Sequence, residues 1–161
     1  SGLAEGETVT LAGFGRSGYG NYGYTTEAGT TDRRVGMNVV DSFSVAGGGS
    51  APNVFRYDFD APGTVGQPGG SSGNHVETII APGDSGGPIL SALADGFGIA
   101  GVSTFTEGYG GRFGDIGGGV LIGPHLDWIN STMAIPEPSI SLLMLLGAVS
   151  LLCAVRRARG R

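Results

Sequence analysis

"PGDSGGPIL", Pro82 to Leu90, is the stretch on which the reading of this chain turns. A single serine, Ser85, stands between Asp84 and two glycines, with a proline and an apolar pair closing the run. Glycines around a serine leave the backbone free to aim N–H groups at the carbonyl oxygen next to the carbon that the hydroxyl attacks. The hydroxyl itself is a weak nucleophile until an adjacent base takes its proton. Only two histidines, His75 and His125, are present to supply one.

Composition bounds the class. The 161 residues suffice for one ordinary domain, and 33 of them are glycine, which argues against a helical bundle and for short strands joined by tight turns. Residues 1–135 carry 5 Arg against 13 Asp and Glu, a net of −8; residues 136–161 carry 4 Arg against Glu137, a net of +3, together the −5 of the whole. A body this acidic, without a basic stripe, argues against a nucleic-acid partner. Cys153 is the single cysteine, so no internal disulfide forms. No cofactor and no metal is expected.

The apolar pattern is β. "ETVTLAGFG" alternates Val9 and Leu11 with polar residues before Gly13 and Gly15. Val35 to Val45, Asn53 to Phe59, His75 to Ile80, Phe97 to Phe105 and Gly118 to Gly123 read as further strands between Gly-, Ser- and Pro-rich loops. "PHLDWINSTM" reads as a helix, with Pro124 in its first turn and Leu126 and Ile129 on one face. Six strands and a terminal helix suit a small antiparallel barrel. The "RSGYGNYGYTTEAGTTDRR" segment between the first two strands suits an ordered surface loop.

The tail differs. Ile140 to Val155 is an uncharged run of 16 residues followed by "RRARGR". A membrane span takes about 20 residues, and an arginine-rich end suits the cytoplasmic side. Just before stands "PEPS", Pro136 to Ser139. Pro136-Glu137-Pro138, a short apolar helix and a basic end, in that order, resemble the PEP-CTERM sorting signal of Gram-negative bacteria. The resemblance implies export, transient inner-membrane anchoring, processing by an exosortase-type enzyme, and a final place in the periplasm, at the outer surface or outside the cell.

"GDSGGP", Gly83 to Pro88, resembles the serine signature of the trypsin-like (chymotrypsin-fold) serine proteases. "VTLAGFG" is similar to the first strand of that family's second barrel, "GIAGVSTF" to the strand after the nucleophile, and "PHLDWINSTM" to its closing helix. The resemblance covers residues 5–133. It implies an all-β fold, an antiparallel six-stranded Greek-key barrel with a C-terminal helix, followed here by the short transmembrane helix. It implies a serine endopeptidase acting on protein or peptide substrates: Ser85 as nucleophile, the N–H groups of Gly83 and Ser85 as oxyanion hole, and Asp84 pairing with a freed N-terminus on activation. Ile79 falls at the floor of the primary pocket and Ser103, Thr104 and Phe105 on its wall, so cleavage after small or medium apolar residues is expected.

In that family the catalytic histidine and aspartate lie on a first barrel, N-terminal to everything quoted above. His75 stands ten residues before Ser85 on an expected strand, wrongly placed for that role. The chain is therefore expected to be the C-terminal barrel of a longer protease. Its organisation is 1–133 barrel, 134–139 linker and sorting motif, 140–155 membrane helix and 156–161 basic tail. Two alternatives stand beside this. A chymotrypsin-like domain without its base can serve as a surface binding or adhesion module. Gly83-Asp84-Ser85-Gly86-Gly87 also fits the nucleophile elbow of α/β-hydrolases, with Asp115 and His125 following in order; that elbow needs a strand–turn–helix setting. The order Asp58 or Asp60, His75, Ser85 of subtilisins lacks that family's serine context. Asp58 and Asp60 in "YDFDAP" read as a solvated turn rather than a cation site, and His125 as a surface histidine.

Overall fold

A computed structural model of the chain describes residues 3–29, 31–62, 77–108, 110–135 and 140–160. Among these, nine strands form: β1 (Thr8–Gly13), β2 (Ser17–Tyr19), β3 (Gly23–Thr26), β4 (Arg34–Val39), β5 (Ser42–Ser44), β6 (Val54–Asp58), β7 (Pro88–Leu93), β8 (Gly96–Glu107) and β9 (Ile116–Leu121). A 3-10 turn, Gly123–His125, precedes α1 (Leu126–Met133), and α2 runs from Ile140 to Arg159. Two compact units divide at His125, Ser1–His125 and Leu126–Arg161.

Seven strands build one antiparallel sheet in the order β4-β1-β7-β8-β9-β6-β5, and β2 and β3 make a separate ribbon. The alternation expected of β1 places Val9 and Leu11 in the core with Val40, Phe55, Tyr57, Ile80 and Ile89. Burying that set supplies the main drive to fold. The "GGG" of β9 exists because aromatic rings lie across it. A Cβ at Gly117 would sit 2.5 Å from the Tyr57 ring, and one at Gly118 would strike Phe105.

The sheet's two outermost strands are neighbours in the chain. Between β4 and β5 stand only Val40 and Asp41, and there the backbone changes partners: Val40 N–H donates to Glu7 O at 3.0 Å and Asp41 N–H to Arg56 O at 2.9 Å. Asn38, buried next to this point, donates from Nδ2 to the carbonyls of Asp58 (2.7 Å) and Thr78 (2.8 Å). The sheet accordingly curls into a half-barrel.

Several expectations need correction. The sheet has seven strands, not six, because Val35 to Val45 is divided at Val40–Asp41 and because β7 was not foreseen. Over the described part of the expected strand His75 to Ile80 no strand forms, and a single bridge joins Glu77 to Met37. Part of the tyrosine-rich segment forms the β2–β3 ribbon. The expected helix is present as the 3-10 turn and α1, with no buried residue in either. α2 extends past Val155 through the arginines, and among the described residues no helix is long and apolar enough to cross a membrane. Pro136, Glu137 and Pro138 lie outside the described residues, as does His75.

Phe55 is fully buried and packs on Tyr57 with ring centroids 6.2 Å apart. Phe55→Ala should lower stability by about 3–5 kcal/mol, read as a reduced urea midpoint at unchanged slope.

Candidate functional site

Two consecutive turns make the Ser85 loop. In Ala81-Pro82-Gly83-Asp84 the Asp84 N–H donates to Ala81 O at 2.9 Å, proline holds the second position and Gly83 the third with φ +100°. This is the type II pattern, which needs left-handed backbone at its third residue. In Asp84-Ser85-Gly86-Gly87 the Gly87 N–H returns to Asp84 O at 2.9 Å, and Gly86 takes φ +84°. Ser85, second in that turn, is exposed. β8 clamps the loop from beneath: Gly86 N–H donates to Ser103 O and Ser103 N–H to Gly87 O, both at 2.9 Å. The N–H groups of Gly83 and Ser85 find no acceptor among the described residues. An exposed hydroxyl thus sits on a fixed turn flanked by two free backbone donors, the provision a developing oxyanion requires.

Asp84 holds the turn from the other side. Its Oδ1 accepts the Gly15 N–H at 2.6 Å and its Oδ2 the Ala81 N–H at 2.9 Å. Gly13 and Gly15 are glycine because the carboxylate fills the space their side chains would take; a Cβ at Gly15 would lie 2.6 Å from Asp84 Cγ and one at Gly13 would clash harder. Arg34 Nη1 donates to Gly15 O at 2.8 Å, tying the same peptide segment to β4. Both oxygens of Asp84 thus have backbone partners within the fold. The role of the "GFG" glycines was not visible in the sequence.

The expected pocket residues disperse. Ile79 packs against the core and lines a cavity of about 110 Å³ together with Asp84. Ser103 is 1% exposed and its Oγ has no hydrogen-bond partner. Thr104 is the extra residue of a bulge in the β8–β9 pairing and is exposed. Phe105 lies over Gly118 with the Arg56 guanidinium 5.1 Å from its ring centre. Ile79 shares neither this cavity nor the groove at Ser85 with Ser103–Phe105. That groove, about 630 Å³, runs from the Ser85 loop over β1, β4 and β7, and among the described residues no histidine lines it. His125 is exposed on the 3-10 turn. Asp115 is committed to the N–H groups of Gly111 (2.7 Å) and Arg112 (3.0 Å), and strand β7, not a helix, follows Ser85. The elbow reading with Asp115 and His125 therefore lacks its strand–turn–helix setting.

Asp58 and Asp60 are not a solvated turn. With Glu77 they bring one ligand-type oxygen each within 4.8 Å of one another. Asp58 Oδ1, Asp60 Oδ2 and Asp41 Oδ1 are buried without a hydrogen-bond partner. Burial pushes the Asp41 carboxyl up to about 7; the Asp58 N–H opposes the shift and the charges of Asp58 and Asp60 add to it. Burial also raises Asp60, as do Asp58 and Glu77. Local spacing showed Asp58 and Asp60 alone; Asp41 and Glu77 arrive through the strand pairings.

No protein-family model matches this chain, and no curated protein matches it either.

Gly15→Ala forces a methyl into the Asp84 carboxylate and should cost about 1–3 kcal/mol, measured by urea unfolding. The raised Asp41 pKa means the folded chain binds a proton the unfolded chain has already lost. Stability should therefore fall as pH rises from 4 through about 7. Asp41→Asn should flatten that slope and raise the thermal midpoint at pH 8.

Proposed function

We propose that this chain is the nucleophile-bearing barrel of an exported serine endopeptidase of the trypsin-like kind, whose histidine and aspartate come from a first barrel outside it. One observation carries the reading: an exposed Ser85 on a doubly clamped turn, with the Gly83 and Ser85 N–H groups unpaired. Ser85 Oγ bonds to the carbonyl carbon of a peptide as its proton passes to the base. The two N–H groups hold the carbonyl oxygen as it gains charge, the C–N bond breaks, and the departing amine takes that proton. Water then attacks the ester, and Ser85 recovers its hydrogen. Asp84 acts as a positioning residue, by fixing the turn.

The finer fold reading, a six-stranded Greek-key barrel, is supported by β4 and β5 being one strand bent at Val40–Asp41, which pairs with β1 on one side and β6 on the other. The buried, unpartnered Ser103 hydroxyl beside the loop is consistent with a further polar group arriving from the first barrel. For the tail, the Pro136-Glu137-Pro138 motif followed by α2, with Arg156, Arg157 and Arg159 in its last turn, supports exosortase-type sorting through the inner membrane. A second reading, a binding or adhesion module that has lost its base, rests on the absence of a histidine among the described residues that line the groove at Ser85. The free N–H pair has no use in that reading.

In the protein expressed from its complete gene, Ser85→Ala should reduce kcat by on the order of 10⁶ and change stability by less than about 0.5 kcal/mol. Near-normal turnover by this variant would sink the protease reading. Pro138→Ala should block release from the inner membrane and leave peptidase activity alone. The chain by itself should hydrolyse no peptide; robust Ser85-dependent hydrolysis by it would place the base within this sequence.

A further inference from the structure

β4, β1 and β7 lie side by side, and their register sets Val35 opposite Ala12 and Leu90 opposite Thr10. Val9, Leu11 and Ile89 of the same strands fill the core. Side chains alternate across a sheet, so Ala12, Val35 and Leu90 face outward. An outward face of an antiparallel sheet is ordinarily polar. Here it is apolar, with Val35 64% and Phe14 41% exposed, and it floors the groove that has Ser85 and Gly83 in its wall.

Arg33 stands in the same wall. Arg16 and Arg56 are paired with Glu27 and Glu107, and Arg34 is spent on the Gly15 carbonyl. Arg33 has no acceptor among the described residues. An unpaired guanidinium at the rim of an apolar groove, in a body of net negative charge, is complementary to a ligand that is apolar along its stem and anionic at its end.

We propose that this groove receives the leaving side of a peptide substrate, seating an apolar side chain on Ala12, Val35 and Leu90 and a carboxylate on Arg33. The proposal rests on the protease reading above. The residues expected to hold the acyl side, Ser103 to Phe105, do not line this groove, which leaves it to the segment beyond the cleaved bond. Arg33 is then a specificity-determining residue, selecting an apolar residue followed by Asp or Glu.

The test uses quenched fluorogenic peptides and the protein expressed from its complete gene. Leucine occupies the first leaving-side position, and Asp, Asn or Lys the second. kcat/KM should run Asp over Asn over Lys, with Asp about tenfold ahead of Asn, as a partly exposed charge-assisted hydrogen bond gives. Arg33→Gln should bring the Asp-to-Asn ratio to about one; the residue is exposed, so the variant folds. Equal rates for the three peptides, or an Asp preference that survives Arg33→Gln, overturn the groove proposal and leave the protease reading standing. Absence of any Ser85-dependent cleavage overturns the protease reading. The groove is then judged by NMR titration of this chain with free Leu-Asp and Leu-Lys. Amide shifts at Phe14, Arg33 and Val35 with Leu-Asp alone uphold it as a peptide site, and their absence overturns it.

Discussion

Everything at the Ser85 loop depends on one carboxylate. Asp84 reaches across to Gly15 on one side and Ala81 on the other, and by doing so fixes the direction of the peptide units on both sides of it. Hydrogen bonds of N–H groups to a charged acceptor are worth roughly twice neutral ones, so a single side chain is enough to define a loop that contains three glycines and little else. The glycines at 13 and 15 follow from this, since any side chain there would occupy the carboxylate's place. So does the free state of the Gly83 and Ser85 N–H groups: the turns that would otherwise satisfy them are closed by Asp84 and Gly87 instead.

The same economy governs the sheet. Its core is small, seven buried residues with Phe55 and Tyr57 the largest, and β9 gives up three side chains so that rings and backbone from β6 and β8 can lie against it. A body so rich in glycine has few side chains left over for chemistry. Those that remain are concentrated in two places, the loop at Ser85 and the carboxylate cluster of Asp41, Asp58, Asp60 and Glu77. The first directs backbone donors outward. The second gathers carboxylates and makes folding depend on the protonation of Asp41.

Much of this was legible in the sequence where the determinant is local. "PGDSGG" announces its turns, because Pro82, Gly83 and Gly86 occupy the positions that those turns require. β1, β6, β8 and β9 follow from alternation. β7 was missed because Ile89, Leu90 and Leu93 are spaced as well for a helix turn as for a strand, and a six-residue run does not arbitrate. The break at Val40–Asp41 was missed because it comes from a change of partner, not from any residue in the run. Asp84's partners, the glycine cradle and the joining of Asp41 to Asp58 are contacts between distant segments, and no pattern within either segment encodes them.

The bond from Gly15 to Asp84 joins residues 69 apart in the chain. A contact of that separation forms only after the intervening strands have been brought into place, and such contacts are slow to close. The Ser85 loop therefore acquires its geometry late in folding. Until then the serine stands in a glycine-rich segment with no fixed direction. A chain still emerging from the ribosome would carry the sequence of this turn without its geometry. The order of assembly at this turn is thus set by topology alone.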